Sequence, residues 1–258
     1  MQQHISSLLI HGKREKEISE KYRSLKMPIY ETASFDFENS ETMEVAFRGN
    51  NDAFAYSRIS NPTVAELQQR LKTFSKSEDS LCLSSGMAAI SNVFLTLCSN
   101  GDNIITSKYL FGNTYSFFAK TLASCGVEAR FTDFNDLNEI EKNCNARTRA
   151  IFIEIPTNPQ LILFDIEKIA KWAEHRNIVL VIDNSILTPY LFQAANYKID
   201  IELFSNTKFI SGGATSIGGT IQIFKSNKWR QILSCKQITK NMEAERFLKG
   251  YIKKSIEI

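Results

Sequence analysis

Histidine is scarce: the 258 residues hold three, with His4 and His11 near the N-terminus and His175 in a charged, helical-looking stretch. That supply is too thin for a Ser-His-Asp arrangement or a histidine-based metal centre. Cysteine is sparse and dispersed. Cys82, Cys98, Cys125, Cys144 and Cys235 form no C-x-x-C pair. An odd, scattered set argues for reduced thiols and against a disulfide framework or a zinc site. No apolar run approaches the ~20 residues that a membrane helix needs. The N-terminus (Gln2, Gln3, His4, Lys13, Arg14) is polar and charged, unlike a signal peptide, so the expected compartment is the cytoplasm. No internal repeat or low-complexity segment stands out. The rest is ordinary for a globular protein, with 43% hydrophobic and 23% charged residues, and the length suits one large domain or two small ones.

The net charge of +3 is unevenly spread. Residues 225–258 carry nine Lys/Arg against three Asp/Glu, and the remainder carries 22 against 25. A basic tail can bind nucleic acid. No aromatic or motif pattern accompanies it, so a solvated helix face is the favoured reading and nucleic acid is disfavoured as a partner.

Residues 1–55 show weak periodicity and read as an extended arm with short helical pieces. From Asn61-Pro62-Thr63 the pattern predicts a helix: proline suits the first turn, and Val64, Leu67 and Leu71 recur at helical spacing. Short apolar strands then alternate with helices. The strands are expected at Ser80–Leu83, Asn103–Ser107, Ala129–Thr132, Ala150–Ile155, Ile178–Ile182, Ile201–Phe204 and Thr220–Phe224. Helices are expected at Met87–Leu97, Tyr115–Ser124, Leu137–Lys142 and Ile166–Arg176. Such alternation implies a mostly parallel, doubly wound α/β sheet of seven strands with helices on both faces. The boundaries are an arm over 1–55, a large domain over 56–224 and a basic helical tail over 225–258.

Ligands of such sheets sit at the carboxyl ends of the strands, and four polar clusters fall there. Lys208 follows Ile201–Phe204 in Ser205-Asn206-Thr207-Lys208, and Asp183 ends an earlier apolar run. A lysine and an acid at the ends of neighbouring strands suit pyridoxal phosphate (PLP), held by the lysine as a Schiff base, with the aspartate keeping the pyridine nitrogen protonated. Ser205 and Thr207 then offer hydroxyls to the phosphate. A surface lysine at a strand end is the plain alternative.

Ser84-Ser85-Gly86-Met87 is a strand-to-helix turn whose free amides suit a phosphate, or a simple helix cap. Tyr56 and Arg58, just before the Pro62 helix, also suit a phosphate, or lie in an ordinary loop. Phe111 stacks on a planar ring or fills the core. Asn158 bonds a cofactor oxygen or caps a turn. Ser211–Gly219 is glycine-rich but lacks G-x-x-x-x-G-K-S/T, and reads as a flexible turn after the lysine.

Taken in order, YSRISNPT (56–63), SSGMAAI (84–90), LFGNTY (110–115), PTNP (156–159), VIDNSILTPY (181–190) and SNTKFISGG (205–213) resemble the Cys/Met-metabolism PLP enzymes. That group includes cystathionine γ-synthase, cystathionine and methionine γ-lyases, and O-acetylhomoserine sulfhydrylases. The resemblance implies the large domain of a fold-type I PLP-dependent transferase. It implies that Lys208 is catalytic and carries PLP, that Asp183 pairs with the pyridine nitrogen and that Phe111 stacks on the ring. It implies that the Gly86 and Met87 amides hold the phosphate with Ser205 and Thr207, and that Asn158 contacts the phenolic oxygen. Tyr56 and Arg58 would serve the phosphate of a neighbouring subunit, so a homo-oligomer is implied. The substrate is a small amino acid, undergoing γ-replacement or γ-elimination after the freed lysine takes the α-proton. No metal and no membrane enter.

Two departures stand out. The family more often has tyrosine where Phe111 stands; phenylalanine stacks but has no phenol for proton transfer, which points toward a sulfhydrylase-like branch. Members also continue into a smaller C-terminal domain with the arginine that grips the substrate carboxylate. That domain is expected to be absent here, and 231–258 reads as amphipathic basic helices. The alternative to an active enzyme is therefore a truncated, non-catalytic PLP-binding fragment or pseudoenzyme that binds a full-length partner. The Ser205–Lys208 context and the YSR motif speak against a transaminase.

Overall fold

The structure, a computed structural model, describes residues 26–48 and 53–224. The basic tail expected over 225–258 and the first part of the arm lie outside the described residues. The chain divides into two units, whose described parts are 26–70 and 71–224.

In the first unit, helix α1 (Ser40–Phe47) begins at a reciprocal cap. Asn39 Oδ1 accepts from Thr42 N at 2.9 Å, and Asn39 N donates back to Thr42 Oγ1 at 3.4 Å. Two amides that the first turn leaves without helical partners are satisfied this way. Helix α2 (Pro62–Ser75) starts on the expected proline.

The second unit is built on one seven-stranded sheet. Its strands are β1 (Asp79–Leu83), β2 (Asn103–Ser107), β3 (Glu128–Thr132), β4 (Thr148–Glu154), β5 (Val179–Asp183), β6 (Ile201–Ser205) and β7 (Gly219–Ile223). Each expected strand is present within two residues of its predicted ends. The order is β1-β7-β6-β5-β4-β2-β3. Neighbours from β6 to β3 run parallel, and β7 runs antiparallel to both β1 and β6.

The central strands read as near-continuous apolar runs because both faces are covered. Helix α3 (Gly86–Leu97) packs Val93 and Phe94 on one face, against β1, β6 and β7. Phe94, Phe118 and Phe152 make an edge-to-face trio there, with centroids 4.8, 5.7 and 5.2 Å apart. On the other face, α5 (Leu137–Lys142) and α6 (Ile166–His175) set Ile140, Ile166, Ile169, Ala170 and Ala173 against Ile151, Ile153, Leu180 and Ile182.

One helix differs from its expected form. The segment foreseen as Tyr115–Ser124 is a short α4 (Gly112–Ser116) continuing into a π-helix over Phe117–Leu122. Phe117, Phe118 and Leu122 are all buried. Phe117 and Leu122 stand five apart, the spacing of the wider π turn, so both reach the core.

After β2 the chain runs outward to β3, then returns to β4 and continues through β5 to β6. The crevice where winding reverses opens at the carboxyl ends of β2 and β4. Among the described residues, no helix is long and apolar enough to cross a membrane.

Candidate functional site

Four strand ends converge on an anion cradle and a buried carboxyl. At the end of β1, Ser85 caps α3, its Oγ accepting from Ala88 N at 3.0 Å. The Gly86 and Met87 amides, in the first turn, have no intrahelical partner and point where the helix dipole is positive. A Cβ on Gly86 would meet Ser205 Cβ at 2.7 Å. A Cβ on Gly219 would lie 2.0 Å from Ser85 O and 2.8 Å from Gly86 N. Two missing side chains thus let the β1–α3 turn, the end of β6 and the start of β7 meet. Gly219 is accordingly a close-packed strand residue, where the sequence suggested the end of a flexible turn. Thr207 Oγ1 accepts from Gly218 N at 3.2 Å, which fixes the hydroxyl beside this junction.

Asp183 ends β5 on the same face as α3. Its Oδ1 accepts from both Ser185 Oγ at 2.5 Å and Ser185 N at 2.9 Å, and Ser185 Oγ accepts from Ser205 N at 2.7 Å. The relay joins the β5 end to the β6 end. Burial pushes the Asp183 carboxyl up, and the two Ser185 donors pull it back. A carboxyl with these properties suits a cationic partner.

Glu154, at the end of β4, is the register neighbour of Asp183. It is buried, and its carboxyl accepts from Phe111 N at 2.8 and 3.1 Å and from Asn158 N at 3.4 Å. One side chain therefore holds both loops of the crevice, after β2 and after β4. Burial first, and then the Asp183 charge, push Glu154 up to about 8, against the N–H donors of Phe111 and Asn158 and the Thr114 hydroxyl. Phe111 and Asn158 themselves are exposed, as is Lys208 in the turn after β6, where Lys208 N donates to Ser205 O at 3.1 Å.

The structure thus brings Gly86, Met87, Asp183, Ser205, Thr207 and Lys208 to the ends of β1, β5 and β6, and ties Phe111 to Asn158 through Glu154. Tyr56 and Arg58 belong to the first unit, where the Arg58 guanidinium lies 5.2 Å from the Tyr56 ring centre. Asn61 folds that motif: Nδ2 donates to Tyr30 O and Ser57 Oγ, both at 2.9 Å, and Oδ1 accepts from Thr63 N at 2.8 Å. The sequence reading missed Glu154, Ser185 and Gly219. A charge closing the apolar run Ile151-Phe152-Ile153 was the available signal for Glu154. The other two needed the fold.

The donors fit a group with a phosphate at one end and a protonated ring nitrogen at the other. The α3 cradle suits the anion, and Asp183 suits the cation.

Comparison with known proteins agrees with this chemistry. The family model described as Cys/Met metabolism PLP-dependent enzyme matches residues 6–245. An L-methionine gamma-lyase of Fusobacterium nucleatum is 33% identical over 201 residues, covering 78% of this chain and 51% of the relative. A homocysteine/cysteine synthase of Saccharomyces cerevisiae is 36% identical over 222 residues, covering 86% and 50%. A crystal structure of a provisionally named O-acetylhomoserine (thiol)-lyase from Campylobacter jejuni, with a pyridoxyl-lysine monophosphate, superposes with a TM-score of 0.81 at 35% identity, covering 86% of this chain and 54% of that one. The chain spans about half the length of the curated relatives it matches.

Proposed function

Because this chain belongs to the Cys/Met metabolism PLP-dependent enzyme family, we propose that it carries the cofactor-binding part of a transsulfuration site, for γ-replacement or γ-elimination on a homoserine-derived or sulfur amino acid. The observation that carries this reading is the convergence of the Gly86–Ser205 cradle and the half-buried Asp183 carboxyl beside the Lys208 turn. The large domain is taken as 56–224, with 1–55 as an arm and 225–258 as a tail.

Pyridoxal phosphate, when bound, supplies an electron sink for charge developing at the substrate α-carbon. The Gly86 and Met87 amides, with the Ser205 and Thr207 hydroxyls, bind its phosphate. Asp183 holds a proton on the ring nitrogen, and the Ser185 donors keep that carboxylate oriented. Phe111 stacks and transfers no proton, since it has no phenol. Asn158 bonds the phenolic oxygen, held in place through Glu154. Lys208 Nζ would hold the cofactor and would serve as the base for the substrate α-proton. Tyr56 and Arg58 serve the phosphate of a second copy in a homo-oligomer, in the cytoplasm.

An absorbance titration of the full chain with PLP, for wild type and Lys208→Ala, before and after O-acetylhomoserine, tests this. A visible band in wild type alone that shifts with substrate is the expected result. A band that substrate leaves undisturbed overturns the amino-acid activity. No band overturns the cofactor assignment of Lys208.

A further inference from the structure

Directly behind the cofactor site lies a buried pair that the reaction does not use. Strand residues alternate between faces, so Asp183 and Ser205 face α3 whereas Glu202 faces the α6 side, with Ile182 and Gln222 as its register neighbours. Glu202 and Asn184 are both completely buried. Asn184 Nδ2 donates to Glu202 Oε1 at 2.6 Å and to Phe192 O at 3.0 Å, which uses both amide hydrogens. Two atoms of this bonded pair remain without a partner: Asn184 Oδ1 and Glu202 Oε2. Both are acceptors when the carboxyl is charged. An unpaired buried carboxylate is among the costliest groups a fold can hold.

A single proton satisfies both. We propose that Glu202 is a neutral carboxylic acid whose Oε2–H donates to Asn184 Oδ1, closing a two-bond acid–amide pair that positions the segment carrying Asp183 and Ser185. The backbone supports the same role, because Asn184 N donates to Leu203 O on β6 at 2.9 Å and Asn184 O accepts from Thr188 N at 2.9 Å. The pair and these bonds together staple the 184–192 turn to the strand that leads to Lys208.

The groups around Glu202 favour the neutral form. Gln222 on β7 and Ser80 on β1 are uncharged, and the Ser75 hydroxyl at the end of α2, also uncharged, is a donor beside the carboxyl. Asp183 is the charged group acting on it, and no cation among the described residues does so. Burial pushes Glu202 up to about 8, partly offset by Asn184 and Ser75, with the Asp183 charge adding to the rise. A carboxyl raised from 4.5 in this way contributes stability that is complete below 4.5 and lost as pH rises through about 8. Between those values the folded-to-unfolded ratio falls about tenfold per pH unit on its account.

Glu202→Gln tests the pair, since glutamine presents the same acceptor and donor at every pH. In urea unfolding of the full chain, the variant should match wild type at pH 5. Its folded-to-unfolded ratio should exceed that of wild type on the order of 100- to 1000-fold at pH 8. Parallel pH profiles, or a variant already much weaker at pH 5, would overturn the proposal. A protonated-carboxyl infrared band at pH 7 should lose the Glu202 part of its intensity in the variant while the Glu154 part remains, and an unchanged band counts against the assignment. Affinity for PLP at pH 9 should be about tenfold weaker in wild type, whose closed pair is then a tenth populated. Equal affinity would overturn the positioning role. This last readout rests on the proposed cofactor site. If neither protein binds PLP, that reading fails, and the unfolding comparison still decides the pair.

Discussion

Gly219→Ala strikes the point where three strand ends meet. The new methyl would sit 2.0 Å from Ser85 O, 2.4 Å from Ser85 C and 2.8 Å from Gly86 N. Ordinary contact begins at 3.4 Å, so β7 and the β1–α3 turn must part by about 1.4 Å. All three atoms are backbone, and no flexible side-chain end can yield. Gly219 is also held in register by Leu83 on one side and Ser205 on the other. Overpacking of this kind costs about 3 kcal/mol, the upper end of its usual range. For a chain of this size that lowers Tm by about 6–12 °C. The displaced group is the Gly86 amide, and misplacement by about 1 Å in a binding constellation costs on the order of a hundredfold. Thermal unfolding followed by circular dichroism, with a PLP titration of the surviving fold, reads both effects. Gly112→Ala is the matched control. It stands at a helix start with nothing within 4 Å, and should leave Tm unchanged or raise it by about 2–4 °C. A Gly219→Ala protein with the Tm and PLP affinity of wild type would refute the close-packed junction.

Glu154→Gln keeps an acceptor for Phe111 N but loses the bond from Asn158, so it should be about 1 kcal/mol less stable than wild type at pH 5 in denaturant unfolding. Glu154 is raised from 4.5 to about 8, so wild type loses stability as pH rises between those values, and the gap should narrow or reverse by pH 8. Ser185→Ala leaves Ser205 N without its acceptor and removes the hydroxyl donor to Asp183, while the backbone N–H of residue 185 keeps its bond. A loss of about 1–3 kcal/mol is expected by urea unfolding, with the Asp183 carboxyl pushed further up. Phe94→Ala empties the centre of the aromatic trio and should cost about 3–5 kcal/mol, read as an early thermal transition.

The sheet was legible because its central strands had to be apolar on two faces and were punctuated by Asp, Gly, Ser or Pro. Val179–Asp183 and Ile201–Ser205 carry that pattern without ambiguity. The position of β7 was not legible, since its antiparallel insertion between β1 and β6 depends on the glycine contact with Ser85, and composition does not encode contact. The π-helix over Phe117–Leu122 was hidden because a buried aromatic run has no distinct period when the turn widens. In the site, Lys208, Asp183 and the Gly86 turn declared themselves by lying at strand ends. Ser185 did not: its role exists only because Ser205 N comes within 2.7 Å. Glu202 was passed over as one polar residue in an apolar run. Its partner, Asn184, is distant in sequence and next to it across the sheet.

Three carboxyl groups, at the ends of β4 and β5 and near the start of β6, divide the work of that region. All three are raised, each chiefly by burial. Glu154 and Asp183 share one face, and the Asp183 charge pushes Glu154 further up. A cation placed against Asp183 would offset that charge, which is the role proposed for a protonated ring nitrogen. Glu202 lies on the far face, where no cation among the described residues acts on it, and the proposed acid–amide pair removes its charge instead. Were Glu202 ionised, its field would act on Asp183 from behind and raise it further, weakening the carboxylate when the site needs it. A neutral Glu202 therefore does more than close a buried bond. It leaves Asp183 free to ionise toward the α3 face, where the proposed ring nitrogen would lie.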